Sequence, residues 1–76
     1  MPHVIVKLAS GRSDEDKTRL ANRIALAVMN SLGIAESTIS VAIEDVDPQD
    51  WTASVYDPEI AGRAETLYRK PGYARF

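Results

Sequence analysis

A long amphipathic segment between two alternating segments constrains the fold of this chain more than any other feature. Ser13, with Asp16 three residues later, has the form of an N-cap before an acidic first turn, and Gly33 has the form of the left-handed residue that ends a helix. Apolar residues recur at helical spacing between these signals, so we expect a helix from about Asp14 to Leu32. In a chain of 76 residues such a helix leaves room for one small domain, over residues 1–76.

Strands are predicted on both sides of this helix. Residues 2–9 and the segment from Thr38 to Asp45 alternate between apolar and mixed positions, which is typical of strands. Because a helical crossover joins them, the two strands should be parallel and their connection right-handed. Two parallel strands are not stable alone, so we expect a second copy of the chain to extend the sheet.

The residues that follow predict a turn and a second helix. Residues 47–50 have the composition of a turn, and residues 51–56 are ambiguous between a short strand and a loop. Asp57-Pro58-Glu59 has the form of a capped helix start, and Pro71-Gly72 has the form of a stop. The predicted fold class is therefore α+β: a βαβ protomer with parallel strands plus a short C-terminal helix, completed by oligomerisation.

Composition excludes several classes of protein. The chain has no cysteine, which excludes disulfides and thiolate chemistry, and its single histidine gives no spacing typical of a metal site. The net charge of −2 argues against a nucleic-acid partner; Arg12, Arg19 and Arg23 share one segment, but the acidic residues among them favour a solvated face. No apolar run approaches the roughly 18 residues of a membrane span, and no signal segment is recognised, so we expect no membrane partner and a cytoplasmic location.

Pro2 is the residue that points most directly to chemistry. Once Met1 is removed, Pro2 carries a free secondary amine at the start of the first strand. A free α-amino group has a pKa of about 7.7–8.0 in peptides, and burial or a nearby cation lowers it. A base is most effective when its pKa lies near the working pH. Pro2 is therefore a candidate general base, although proline also begins edge strands for purely structural reasons.

Two further side chains suit a substrate that carries a carboxylate. Arg12, in the turn before the helix, offers a planar guanidinium fork. Trp51 is either a core or interface anchor or an apolar wall that dries a pocket. A strand of about seven residues is more than about 20 Å long. Pro2 and Arg12 should therefore meet only across a subunit boundary or through a sharply folded path, which again favours an oligomer.

Four segments together match the pattern of a known family. They are Met1-Pro2 opening a strand, Gly11-Arg12-Ser13-Asp14-Glu15 before the helix, Ser37-Thr38-Ile39-Ser40-Val41 in the second strand, and the aromatic Trp51. With them the chain resembles the 4-oxalocrotonate tautomerase family of the tautomerase superfamily over about residues 2–51. The longer C-terminal part, which includes Lys70-Pro71-Gly72-Tyr73, resembles the dimeric PptA-type branch of that family.

The resemblance implies a tautomerase-like protomer that catalyses keto–enol proton transfer on 2-oxo acid enols, phenylpyruvate-like or 2-hydroxymuconate-like, with no cofactor and no metal. By the same resemblance Pro2 is the base, Arg12 a catalytic residue that binds the substrate carboxylate or carbonyl, and Trp51 the hydrophobic wall. Ser40 stands where hexameric members hold a second catalytic arginine, so a monocarboxylic enol is favoured at this part of the substrate site. The resemblance also implies a homodimer, with a hexamer built as a trimer of dimers as the alternative.

Two other functions stay open on the sequence alone. A Pro2 amine that remains protonated suits hydratase or dehalogenase chemistry, in which water adds to a substrate such as a halo-acrylate. A non-catalytic dimeric binding module that keeps Met1 needs no free amine at all.

Overall fold

The computed structural model describes residues 1–74, and its first half is a strand–helix–strand unit. The elements are β1 (His3–Ala9), α1 (Asp14–Leu32) and β2 (Ser40–Val46). β1 and β2 are parallel neighbours in a two-stranded sheet, as predicted. β2 begins at Ser40 rather than at Thr38, because a short 3-10 turn occupies Glu36–Thr38.

Both predicted ends of α1 are confirmed. At the N-terminus the Asp16 amide donates to Ser13 Oγ over 3.1 Å, and the first turn is acidic, which suits the positive end of the helix dipole. At the C-terminus Gly33 has φ 65° and ψ 41°, and its amide donates to the Met29 carbonyl over 2.9 Å. A residue with a Cβ adopts this left-handed conformation only at a cost, so glycine fixes where the helix stops.

Cross-strand contacts establish the register of the sheet. His3 Nδ1 lies 2.6 Å from Ser40 Oγ, a contact between residues 37 positions apart. Lys7 Nζ lies 4.0 Å from Glu44 Oε1, with the same offset along the chain. Because side chains alternate between faces, these four residues lie on one face of the sheet, and the predicted alternation is confirmed.

The chain consists of two compact units, Met1–Asp45 and a second unit that begins at Val46. The second unit opens with a 3-10 turn at Pro48–Asp50, in which Asp47 Oδ1 accepts a hydrogen bond from the Gln49 amide over 2.9 Å. The predicted turn in this region is therefore confirmed. The single domain over residues 1–76 stays a prediction.

The second helix is present, but its predicted position is wrong. Trp51 has helical angles (φ −55°, ψ −49°), and the C-terminal helix follows directly at Thr52–Ala61, where a strand or loop was expected. Asp57 and Pro58 lie inside this helix and do not begin it. The Gly62 amide donates to the Asp57 carbonyl over 2.8 Å, the i→i+5 spacing of a π-helix. The chain therefore leaves the helix well before the predicted stop at Pro71-Gly72.

Few side chains are buried within one copy of the chain. Among residues 1–74, Val55, in the C-terminal helix, is the one apolar side chain classed as buried, with 6% of its surface exposed. α1 contains no buried residue, and Ile5 on β1 is 53% exposed. In the described part of the chain, no helix combines the length and the apolar character needed to cross a membrane.

Candidate active site

Pro2 lies immediately before β1, beside the first residue of β2. Its carbonyl accepts a hydrogen bond from the Ser40 amide over 3.2 Å, and the residue is partly buried. The structure therefore brings together two of the predicted site residues, Pro2 and Ser40. It does so through the parallel register, which places the start of β2 opposite the start of β1.

His3 is the residue at this position that sequence reasoning did not assign. Its imidazole Nδ1 lies 2.6 Å from Ser40 Oγ, and both residues are exposed. A hydroxyl can donate one hydrogen bond and accept two, so contact with His3 leaves Ser40 able to bind another group. The polar surface next to Pro2 thus consists of an imidazole and a hydroxyl that touch each other.

Arg12 lies past the other end of β1, where it lines an open groove of about 390 Å³. The groove is formed by the following residues: Leu8, Arg12, Asp16, Lys17, Arg19, Leu20 and Arg23. Four of these seven side chains are cationic and one is anionic, while two leucines supply apolar surface. Such a lining suits an anion that also carries an apolar part. Pro2 is not among the lining residues.

Ion pairs neutralise part of the charge in this groove. Arg19 Nη1 lies 3.0 Å from Asp16 Oδ1, and Lys17 Nζ contacts Asp45 Oδ2. The hydrogen bond to Asp45 is the main cause of a raised pKa at Lys17 and outweighs the lowering by desolvation. Within residues 1–74, the guanidinium of Arg12 makes no ion pair or hydrogen bond. Arg23, which lines the same groove and is also exposed, likewise makes no ion pair or hydrogen bond within these residues, so Arg12 and Arg23 are the two guanidinium groups of the lining that are available to an anionic ligand.

Trp51 belongs to the second unit, where it is part of an aromatic cluster. Its indole Nε1 donates to Tyr73 Oη over 3.0 Å, and the Tyr73 and Tyr56 rings lie 5.8 Å apart between centroids at 44°. A tilted arrangement at this distance is favourable for aromatic pairs. The indole N–H is therefore already hydrogen-bonded inside the unit, and the part of Trp51 that can contact a ligand is the apolar face of its ring.

Within one chain, Pro2 and Arg12 are far apart. Seven residues of β1 separate them, which corresponds to about 23 Å at the rise of a β-strand. Within one copy of the chain, Pro2 and Arg12 thus lie beyond opposite ends of β1.

Comparison with known proteins decides the family. Residues 2–56 match the family model described as "Tautomerase enzyme". The chain belongs to the tautomerase family. It is 49% identical to a "Probable tautomerase" of Xylella fastidiosa (strain 9a5c), over 99% of this chain and 92% of that protein. It is 40% identical to "Tautomerase PptA" of Cronobacter sakazakii (strain ATCC BAA-894), over 96% of this chain and 97% of that protein. The resemblance found in the sequence is thereby confirmed, and the protein is an isomerase of the tautomerase type.

Solved structures agree with this assignment. One similar structure is YwhB, a homologue of 4-oxalocrotonate tautomerase; it shares 39% identity with a TM-score of 0.59, over 60% of this chain and 75% of that one. Another is TomN, a 4-oxalocrotonate tautomerase homologue from tomaymycin biosynthesis; it shares 28% identity with a TM-score of 0.64, over 66% of this chain and 77% of that one. The predicted fold class is confirmed. Proteins of this fold are generally oligomeric and act on small molecules.

Proposed function

We propose that this tautomerase interconverts enol and keto forms of 2-oxo acids, with the Pro2 amine as general base. Removal of Met1 exposes the amine. The neutral nitrogen takes the proton of the 2-hydroxyl group, the C2–oxygen bond becomes a carbonyl, and the electron pair of the C2=C3 bond moves to C3. The prolinium then returns a proton to that carbon. No atom is lost or gained, so the reaction needs no cofactor.

The position of Pro2 is the observation that carries this proposal. Pro2 is partly buried and held by the Ser40 amide in a chain that belongs to the tautomerase family. A general base acts in its neutral form, and partial burial disfavours the charged form of an amine. The register also fixes the direction of the Pro2 peptide, which limits the positions open to its nitrogen.

Arg12 is proposed to bind the substrate carboxylate. It makes no ion pair within the described residues, and four of the seven side chains that line its groove are cationic. Because about 23 Å of β1 separates it from Pro2 in the same chain, each active site would combine Pro2 of one copy with the partner's Arg12. We therefore propose a homodimer as the catalytic unit.

The proposed substrate is a monocarboxylic enol of the phenylpyruvate type. Ser40, beside Pro2, is neutral and offers a hydrogen bond, whereas a second carboxylate would need a second cation at that end of the substrate. The apolar face of Trp51 is proposed to line the site and exclude water. An aryl group is a suitable occupant for a site with such a wall.

Enol ketonisation tests this function directly. Protein whose intact mass shows loss of Met1 should accelerate ketonisation of the phenylpyruvate enol more than that of 2-hydroxymuconate. Pro2→Ala should reduce kcat at least about 100-fold, the contribution typical of a general base. Arg12→Ala should mainly raise KM, while Arg63→Ala, which removes an exposed guanidinium outside the groove, serves as the control. Full activity in both Pro2→Ala and Arg12→Ala would show that the proposed function is wrong.

A further inference from the structure

The contact between His3 and Ser40 lies at the end of the sheet where Pro2 is found. The two side chains are 2.6 Å apart, and the Ser40 amide is bonded to the Pro2 carbonyl over 3.2 Å. Ser40 and Pro2 are therefore adjacent through their backbones, and the contact between the His3 and Ser40 side chains lies at the same end of the sheet as Pro2. Both His3 and Ser40 are exposed, so their polar atoms are accessible to a ligand.

The tautomer of the His3 imidazole determines whether the Ser40 hydroxyl can donate a hydrogen bond to a ligand or only accept one. When Nδ1 of His3 carries a proton and donates it to Ser40 Oγ, the hydroxyl proton is free to point toward another acceptor. When the hydroxyl instead donates to Nδ1, only its lone pairs face a ligand. The proton on His3 therefore sets Ser40 as either a donor or an acceptor.

We propose that His3 is a positioning residue that holds Ser40 as a hydrogen-bond donor to the substrate oxygen on C2. This inference rests on the proposed function, because negative charge develops on that oxygen only when Pro2 removes the hydroxyl proton. A fixed donor aimed at developing charge stabilises a transition state more than a ground state. A neutral donor such as the Ser40 hydroxyl suits a substrate with a single carboxylate, because the Arg12 guanidinium is already proposed to bind that carboxylate.

The next cross-strand pair on the same face provides a matched control. Lys7 and Glu44 have the same register and face as His3 and Ser40, and their charged atoms are 4.0 Å apart. They lie further along the strands from Pro2. Loss of this pair removes a cross-strand contact without touching the polar groups beside the amine.

The test measures kcat and KM for enol ketonisation in four variants and compares them with Lys7→Ala. Ser40→Ala and His3→Ala should each lower kcat about tenfold to a hundredfold, as for loss of one donor to an oxyanion, with KM little changed. The double variant should be no worse than Ser40→Ala, because the two side chains act as one unit. His3→Asn should restore most of kcat, since its amide nitrogen can occupy the position of Nδ1. Lys7→Ala should retain the wild-type kcat.

Three results would overturn the inference. The first is a wild-type kcat in His3→Ala together with a strongly reduced kcat in Pro2→Ala. That result would support the general base and disprove the role of His3. The second is an equal loss in His3→Asn and His3→Ala, and the third is additive losses in the double variant. A wild-type kcat in Pro2→Ala would instead disprove the proposed function itself. Urea unfolding midpoints of all variants establish that each is folded in the assay.

Discussion

Mixing two variants that are each impaired in kcat/KM tests whether each active site is shared between two copies of the chain. Pro2→Ala lacks the secondary amine proposed as the base, and Arg12→Ala lacks the guanidinium proposed to bind the substrate carboxylate. β1 has seven residues, so about 23 Å separates the two groups along one strand. An arginine side chain and a small enol together do not cover this distance. If the site is shared, a mixed oligomer contains some sites with Pro2 from one variant and Arg12 from the other.

The expected recovery follows from random assembly. In an equal mixture, half of the chains contribute an intact Pro2 and half contribute an intact Arg12. The two come from different copies, so about a quarter of the sites contain both, whether the oligomer is a dimer or a larger ring. The mixture should therefore regain about a quarter of the wild-type kcat/KM per site, although neither variant alone approaches that value.

The assay is enol ketonisation before and after subunit exchange. The variants are co-refolded from denaturant at equal concentration, and native mass spectrometry confirms that mixed oligomers have formed. Arg63→Ala mixed with Pro2→Ala gives the upper reference, because half of those sites should be intact. No recovery in a sample with proven mixed oligomers would refute the shared site and place Pro2 and Arg12 of one chain together.

Three further predictions concern folding. Gly62→Ala should lower the free energy of unfolding by about 1–3 kcal/mol, because a Cβ there would lie 2.8 Å from two backbone carbonyl oxygens. Gly72→Ala is the control, since a Cβ at Gly72 would have nothing within 4 Å. Equal stabilities of the two variants in urea unfolding would contradict the prediction. Ser13→Ala should cost about 1 kcal/mol through loss of the N-cap, measured by thermal unfolding. The raised pKa of Lys17 means that its pairing with Asp45 stabilises the fold below the ordinary lysine pKa of 10.5 and is lost as the pH rises through the higher folded value. The stability difference between wild type and Asp45→Asn should therefore be present at about pH 8 and shrink in alkaline solution.

The first half of the fold follows from local signals that all agree. Ser13 caps α1, Gly33 ends it, and the alternation of each strand matches the face that is partly buried. Local preference and tertiary packing favour the same structure here, which is the condition under which sequence patterns predict elements well. The start of β2 was displaced only because residues 36–38 form a 3-10 turn.

The second half was mispredicted because the chain contains the same start signal twice. Asp47-Pro48 and Asp57-Pro58 both have the form of an N-cap followed by proline. The sequence interpretation assigned the first to a turn and the second to a helix, whereas the structure uses the first as the start of nearly continuous helical backbone. Pro58 then lies inside a helix, where it removes a donor and crowds the preceding turn. The i→i+5 bond from Gly62 to Asp57 shows that the backbone there is wider than an α-helix.

The arrangement beside Pro2 depends on register, which composition and periodicity do not determine. The alternation of each strand places His3 and Ser40 on the face that carries both polar and apolar side chains. It does not determine which residue of β2 lies opposite His3. The offset of 37 residues makes them direct neighbours. A slip of one residue would turn the Ser40 side chain to the opposite face and bring Ile39 or Val41 to this position. The register between β1 and β2 thus determines which side chain of β2 meets His3, and with it which polar groups lie beside Pro2.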